Sequence, residues 1–133
     1  MSKEDKIPSD SEWRVMEVLW ENGAPLPSSE IIKRLGEHGK MTSRMVRVLL
    51  NRLCQKELVD YIVDDKDARV YHYFSRKSRA ECRREKSRRF VECYFAGSQT
   101  GAIASLLQSG TLTAEQIGEL EALLEENKRK GEE

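Results

Sequence analysis

The sequence predicts a mainly α (α+β) protein, in which three short helices and a β-hairpin are followed by further helices. Apolar residues recur at helical intervals in three successive stretches of the first half of the chain. Two β-rich runs around a polar centre follow, in LVDYIVDDKDARVYHYFS, and the remainder again has helical spacing. Three helices and then a hairpin is the order of a winged helix-turn-helix, in which the third helix enters the major groove of DNA.

The first helix is predicted from Asp10 to Asn22. Ser9 and Glu12 have the S-x-x-E spacing of a capping box, which marks a helix start. Apolar side chains then follow at helical intervals, at Trp13, Met16, Leu19 and Trp20. Gly23 is expected to end this helix.

The second and third helices follow after a proline-rich turn. The segment GAPLPSSE predicts a turn with Ser28 as the N-cap of the second helix, whose inward residues are Ile31, Ile32 and Leu35. After a loop over residues 36–40, Thr42 or Ser43 caps the third helix. Its apolar stripe comprises Val46, Leu49, Leu50 and Leu53. We expect that stripe to face the core and the opposite face to meet solvent.

The hairpin is predicted to turn at DDKDA, and the chain is predicted to end in three helices. Ser78 opens a long basic helix that reaches about Gly97, and a short apolar helix covers Ala102 to Leu107. Thr113 and Gln116 form a second capping box before the last helix. These boundaries assign the winged helix to residues 1–76 and a helical dimerisation region to residues 77–133.

Charge is segregated along the chain, although 23 Lys and Arg residues balance 23 Asp and Glu residues overall. The segment 33–56 carries seven basic residues against Glu37 alone: Lys33, Arg34, Lys40, Arg44, Arg47, Arg52 and Lys56. Residues 76–89 carry eight basic and two acidic side chains, whereas residues 111–133 carry three basic and seven acidic ones. A local excess of cations is the electrostatic signature of a nucleic-acid contact.

The outward face of the third predicted helix carries the candidate DNA-reading residues: Thr42, Ser43, Arg44, Met45, Arg47, Val48 and Arg52. Arginine can bind guanine O6 and N7 together, and Met or Val can contact a thymine methyl group. Arg44 and Arg47 lie one turn apart and are predicted as the main readers, with Arg52 on a phosphate. The alternative is an ordinary solvated helix face.

Contacts to the DNA backbone are predicted from the wing and from the start of the second helix. Lys66 and Arg69 flank the hairpin turn, although the three aspartates of the same turn would repel DNA. Ser28 and Ser29 could present backbone N–H groups to a phosphate, or could simply cap the helix. The basic segment from Arg76 to Arg89 is either a second DNA contact or a solvated connecting helix.

The C-terminal helices carry apolar residues that are too few to close a core of their own. These candidate dimerisation residues are Phe90, Tyr94, Phe95, Ile103, Leu106, Leu107, Ile117, Leu120 and Leu124. Two copies together would suffice, and a dimer has the symmetry that a palindromic operator needs. The alternative is that these helices pack back onto the winged helix of the same chain.

Several function classes are disfavoured by the sequence. His38 and His72 have no neighbouring Cys, Asp or Glu at metal-ligand spacing, and no catalytic or phosphate-loop motif is present. Three cysteines without C-x-x-C spacing predict reduced thiols. No apolar stretch is long enough to span a membrane, and the chain starts without an apolar leader. We therefore expect a cytoplasmic protein that is not an enzyme, with no cofactor and no metal.

Four segments together resemble the penicillinase and methicillin-resistance repressors, the BlaI/MecI/CopY type of winged-helix transcriptional regulators. They are IPSDSEWRVMEVLW, TSRMVRVLLNRLCQKELV, ARVYHYF and LTAEQIGELEALLEE. The resemblance implies a homodimeric repressor on an inverted-repeat operator, with intertwined C-terminal helices. It also implies an upstream partner: a membrane-bound zinc protease sensor that responds to β-lactam and causes cleavage in those helices.

The chain departs from these relatives at several positions. Ser105 and Leu106, the candidate cleavage region, stand where relatives have Asn-Phe, so the cleavage sequence of the relatives is not kept here. The paired C-x-C motifs of the copper-responsive branch are missing, which disfavours copper sensing. Arg44 replaces a lysine of the relatives, and Met45 and Val48 replace threonines. We therefore expect a different operator sequence.

The function predicted from these features is a homodimeric, sequence-specific DNA-binding transcriptional regulator, most simply a repressor that is released by an inducing signal. Its partners would be double-stranded DNA with a palindromic operator and a second copy of the chain. Two alternatives stay open. One is a winged helix that docks an acidic protein, and the other is a ligand-sensing regulator or activator.

Overall fold

The computed structural model describes residues 6–37 and 41–132. In chain order the elements are α1 (Asp10–Asn22), β1 (Leu26–Pro27), α2 (Ser28–Gly36), α3 (Ser43–Gln55), β2 (Val59–Val63), β3 (Tyr71–Ser75), α4 (Arg79–Phe95), α5 (Gln99–Gln108) and α6 (Ala114–Glu132). His38, Gly39 and Lys40 of the predicted loop lie outside the described residues. The chain forms two compact units that divide after Arg88.

The helix α1 has the predicted bounds and the predicted cap. The Glu12 N–H donates to Ser9 Oγ at 3.2 Å, and the Ser9 N–H donates to Glu12 Oε1 at 2.8 Å, which completes the capping box. Gly23 ends the helix in the left-handed conformation, with φ of 71°. The capping box and the glycine therefore fix both ends of α1.

The predicted role of Ser28 as the N-cap of α2 is wrong. Pro27 occupies the cap position without a side-chain hydrogen bond, and α2 starts at Ser28 itself. The chain is extended at that point because Leu26 and Pro27 form β1, which pairs antiparallel with Tyr73 and His72 of β3. This strand was not predicted from the sequence, because two residues between turn-forming neighbours show no periodicity.

The helix α3 supplies the central layer of the core. The Met45 N–H donates to Thr42 Oγ1, so Thr42 is the cap, as predicted. The predicted stripe of α3 is buried and packs in one cluster with α1, α2 and the start of β2: Val15, Met16, Leu19, Ile31, Val46, Leu49, Leu50, Leu53, Leu58 and Val59. Burial of this stripe turns the opposite face of α3 outward.

The three strands form one antiparallel sheet in the order β1-β3-β2. Tyr61 of β2 lies opposite Tyr73 of β3, and Val63 lies opposite Tyr71. Asp64 organises the turn, because its carboxylate accepts hydrogen bonds from the backbone N–H groups of Lys66 and Asp67. We call β2, β3 and this turn the wing. The order of three helices and a hairpin agrees with the predicted winged helix.

The described residues after Arg88 belong to the end of α4 and to α5 and α6. Ser98 caps α5, and Thr113 and Gln116 form the predicted capping box of α6. Ala102 is buried in this unit, whereas most of its large apolar side chains are exposed. The three predicted C-terminal helices are confirmed.

Candidate nucleic-acid interface

The outward face of α3 presents every residue that the sequence analysis assigned to DNA reading. Thr42, Ser43, Arg44, Met45, Arg47, Val48 and Arg52 are all exposed. Met45 is 46% exposed and Val48 is 44% exposed, although both are apolar. Helical spacing explains this, because the buried stripe of the same helix lies on the opposite side.

The arginines on this face are not neutralised by the described part of the chain. Arg44, Arg47 and Arg52 form no ion pair or hydrogen bond through their side chains with any described residue. Two arginines of other helices are paired by contrast: Arg34 contacts Glu30 at 3.3 Å, and Arg79 contacts Glu17 at 2.5 Å. The guanidinium groups of α3 are therefore free to meet an external anion.

A cleft of about 540 Å³ separates α3 from the wing. It is lined by Arg44, Arg47, Val48, Asn51, Cys54, Tyr61, Tyr71 and Tyr73. The Tyr61 and Tyr71 rings are stacked, with centroids 4.2 Å apart and an interplanar angle of 13°, and Tyr73 lies 5.8 Å from Tyr61. Polar hydroxyls and cationic side chains thus share one groove.

The thiol and phenol groups deepest in this cleft are held in their neutral forms. Burial raises the pKa of the Cys54 thiol, and the nearby Asp60 carboxylate adds to that effect. Burial also raises the pKa of Tyr73, with smaller contributions from Cys54 and the other two tyrosines. The cleft therefore carries positive charge without compensating anions from these groups.

The sequence analysis missed Asn51 and the three tyrosines. It treated the tyrosines as ordinary β-forming residues, which is what their composition indicates. Strand alternation could have placed Tyr71 and Tyr73 on one sheet face, but Tyr61 joins them only through the register of β2 with β3. The register is a tertiary property, and the local sequence does not give it.

The turn of the wing carries more acidic side chains than is expected of a segment that contacts the DNA backbone. Asp67 holds Arg69 through two contacts of 3.0 Å and 3.2 Å, and Asp64 lies 2.9 Å from Nε2 of His72. The hydrogen bond from His72 lowers the pKa of Asp64, and the hydrogen bond from Arg69 lowers the pKa of Asp67. Lys66 is exposed and its ammonium group has no described partner.

The remaining predicted DNA contacts lie at the start of α2. Ser28 is half-buried and Ser29 is exposed, and both belong to the first turn of the helix. Because no side chain caps α2, its first backbone N–H groups lack a cap partner. A phosphate could accept those N–H groups.

Part of the basic segment at the start of α4 is used inside the protein. Lys77 pairs with Glu85 at 2.7 Å, and Arg79 contacts Glu17 while lying 5.6 Å from the centre of the Trp20 ring. Trp20 Nε1 also donates to the Lys77 carbonyl at 2.8 Å. These contacts fasten the start of α4 to α1, which favours the connecting-helix interpretation for these cations.

The apolar side chains predicted for dimerisation are largely exposed. Tyr94 is 75% exposed, Leu106 is 62% exposed and Leu124 is 61% exposed. Phe90, Ile103, Leu107, Ile117 and Leu120 are exposed as well, and Phe95 is half-buried. Ser105 and Leu106, the candidate cleavage region, lie within α5 and are exposed.

Within residues 6–37 and 41–132, no group of three His, Cys, Asp or Glu side chains could hold a metal ion. None of the helices in these ranges is long and apolar enough to cross a membrane.

Comparison with known proteins shows which family this chain resembles. Residues 8–126 match the model of the penicillinase repressor family. The penicillinase repressor of Bacillus licheniformis is 28% identical over 130 residues, which cover 96% of this chain and 98% of that protein. The methicillin resistance regulatory protein MecI of Staphylococcus aureus is 22% identical over 116 residues, which cover 87% of this chain and 91% of that protein.

The solved structures confirm the fold. A mutant of MarR from E. coli aligns with a TM-score of 0.52 and 19% sequence identity, over 89% of this chain and 76% of that chain. The predicted mainly α (α+β) winged-helix architecture is therefore shared with that protein.

Proposed function

This chain belongs to the penicillinase repressor family, and on that premise we propose that it is a homodimeric repressor whose α3 reads an inverted-repeat operator. One matched relative is a penicillinase repressor and the other is a methicillin resistance regulatory protein, and both align with this chain over nearly their whole length. The observation that carries the proposal is the exposed, unpaired arginine face of α3, because free guanidinium groups on a helix suit the major groove.

Each protomer would place α3 in one major groove. Arg44 and Arg47 would bind guanine O6 and N7, whereas Met45 and Val48 would contact thymine methyl groups. Arg52, at the other end of the helix, would bind a phosphate, as would Lys66 and the backbone N–H groups of Ser28 and Ser29. We assign Arg69 a smaller share, since Asp67 already holds its guanidinium.

The dimer would form through residues 89–132. Contiguous exposed apolar surface marks an interaction site, and the apolar side chains of this unit are exposed along all three of its helices. A second copy covers this surface symmetrically and sets two α3 helices at half-sites one helical turn, or a multiple of ~10 bp, apart. Occupation of such a site blocks transcription by occlusion.

Release of the operator would follow from a loss of dimerisation. The family resemblance points to a membrane sensor protease as the upstream partner, and to Ser105 and Leu106 as its region of cleavage. A cut there would divide α5 between Ile103 and Leu107, two of the exposed apolar side chains. Because the bond lies within a helix, local unwinding must precede cleavage.

Titration of duplex DNA by fluorescence anisotropy at several salt concentrations tests the proposal. The probe is a duplex selected from a random-sequence pool, and an unselected duplex is the reference. The dissociation constant should rise with salt by about 0.9 log units per decade for each contacted phosphate. A dissociation constant that does not change with salt concentration on any duplex would contradict DNA recognition and favour a protein partner.

Substitution of Arg44 distinguishes a sequence-specific base contact from a sequence-independent electrostatic contact. Arg44→Ala should cost about 1–3 kcal/mol on the selected duplex and much less on the unselected one, because it removes a base contact. Lys66→Ala should weaken both duplexes alike. The matched control is Arg14→Ala, which removes an exposed arginine of α1. Equal losses on both duplexes for Arg44→Ala would show that Arg44 is not a reader.

A further inference from the structure

The cleft between α3 and the wing has two chemically different walls. Arg44, Arg47 and Asn51 of α3 form one wall, and the tyrosines of β2 and β3 form the other. Its volume is about 540 Å³, and its entrance is open to solvent on the face that α3 presents outward. The cleft is therefore a groove with cations on one side and phenol hydroxyls on the other.

The tyrosines are held in place by their own packing. Tyr61 and Tyr71 stack at 4.2 Å, and Tyr73 closes the cluster at 5.8 Å and 6.4 Å from the other two rings. Tyr61 is 41% exposed and Tyr71 is 39% exposed. Their hydroxyl groups make no hydrogen bond with another residue in the described ranges. The two hydroxyls are therefore held in position by ring stacking and remain available to donate hydrogen bonds to a ligand.

Duplex geometry determines what such a groove would hold. If α3 occupies a major groove and the wing extends beside it, one sugar–phosphate strand must pass between the two elements. Phosphate oxygens accept hydrogen bonds, and tyrosine hydroxyls are among the side-chain groups that contact the DNA backbone. The cations of α3 complement the charge of the strand.

The acidic turn of the wing makes the strands of the wing the better phosphate site. Asp64, Asp65 and Asp67 outnumber Lys66 and Arg69 there, and Asp67 already holds Arg69. Among these five side chains only Lys66 is a cation without a described partner, whereas Arg44 and Arg47 both lie beside the cleft. The strand would therefore be held mainly at the tyrosines, with Lys66 as a weaker contact.

We propose that Tyr61 and Tyr71 are backbone-positioning residues, whose hydroxyls donate hydrogen bonds to phosphates of the DNA strand that runs through this cleft. The inference rests on the proposed binding of α3 to duplex DNA. A phenol is uncharged, so these contacts release no counterions and read no bases. They fix the depth at which α3 sits in the groove.

The test uses Tyr61→Phe and Tyr71→Phe in the full chain, because each removes one hydroxyl and keeps the stacked ring. Each variant should bind both selected and unselected duplexes about 10- to 150-fold more weakly, as expected for a hydrogen bond to a charged group. The salt slope should equal that of the wild type. Ser11→Ala, which removes an exposed hydroxyl from α1 outside every proposed contact, is the control and should bind as the wild type.

A set of duplexes with single methylphosphonate substitutions locates the contact. At the phosphate that Tyr61 or Tyr71 binds, the methylphosphonate should weaken DNA binding by the wild type. The corresponding Phe variant should bind this duplex as strongly as it binds the unsubstituted one. At other phosphates the two losses should add. Additive losses at every position would overturn the inference.

The outcomes separate this inference from the function on which it rests. If the wild type binds no duplex, the proposed repressor function fails. If the wild type binds and Arg44→Ala loses specificity, while Tyr61→Phe and Tyr71→Phe bind normally, only the tyrosine contact fails. A loss confined to the selected duplex would also overturn it, because that result indicates base reading.

Discussion

Glu12 is a charged side chain inside the core, with only 2% of its surface exposed. Lys56 Nζ lies 2.6 Å from its carboxylate and also donates to the Ile7 carbonyl at 3.3 Å. Burial alone would raise the pKa of the Glu12 carboxyl group. The hydrogen bonds and the charge of Lys56, together with the hydrogen bonds with Ser9, outweigh burial, so the net pKa is lowered. The carboxylate therefore stays ionised and joins the start of α1 to the end of α3.

Replacement of Lys56 should expose the cost of burying that carboxylate. Lys56→Met leaves a buried charge without its partner, so the free energy of unfolding at pH 7 should fall by about 3 kcal/mol. Lys86→Met is the control, since Lys86 lies 3.9 Å from a fully exposed Asp10 and should change stability by less than about 0.5 kcal/mol. Urea denaturation measures both, and equal losses would contradict the role of the buried pair.

The lowered pKa of Glu12 also predicts a pH dependence. A carboxyl group with a lowered folded-state pKa contributes stability above its ordinary pKa, near 4.5 here, and loses it as pH falls through the lowered value. The contribution of this pair should thus be fully present at neutral pH and disappear in acid. In Glu12→Gln the acid-dependent part should be smaller than in the wild type, as urea titrations between neutral and acidic pH would show.

At the scale of elements, the end of α3 sets the direction in which the wing leaves the helix. Glu57 has a φ of 64°, and the Leu58 N–H donates back to the Leu53 carbonyl at 3.0 Å. This left-handed residue closes the helix and turns the chain so that Leu58 and Val59 enter the core. A side chain with a Cβ is strained in that conformation.

Glycine at position 57 should relieve this strain. Glu57→Gly should raise the free energy of unfolding by about 0.5–1 kcal/mol, because glycine adopts positive φ without a steric penalty. Glu57→Ala is the matched control, since it removes the same exposed carboxylate but keeps the Cβ, and it should not stabilise the protein. Chemical denaturation compares the two, and equal stabilities would show that the conformation is not strained.

At the scale of the whole molecule, the proposed dimer depends on the apolar surface of residues 89–132. Leu106 and Leu124 are each more than half exposed, and such side chains favour burial against another copy. If dimerisation is coupled to folding, thermal stability must rise with protein concentration. Two DNA-binding units would then be held at a fixed spacing.

Sedimentation equilibrium measures that assembly directly. The wild type should have about twice the 15.4 kDa mass of one chain, and Leu106→Glu should shift it toward the monomer because a buried charge without a partner is costly. The Leu106→Glu variant should also bind the operator more weakly. Ser109→Glu adds the same charge to an exposed polar position and serves as control. A monomeric wild type would contradict the dimer.

Local signals in the sequence determined most of the fold. Ser9 with Glu12 and Thr113 with Gln116 formed their capping boxes as predicted, and the apolar stripe of α3 fixed which face of that helix points outward. These features depend on residues within one or two turns of each other, so the order of residues along the chain is enough to find them. The cationic face of α3 follows from the same spacing.

Only the tertiary structure decided what distant segments do to one another. The strand β1 exists because β3 pairs with it. The same pairing makes Pro27, rather than Ser28, the N-cap residue of α2. The tyrosine cleft depends on the register of β2 with β3, and the Glu12–Lys56 pair joins two helices that are far apart in sequence. Each of these depends on packing between segments, whereas capping and periodicity report only on near neighbours along the chain.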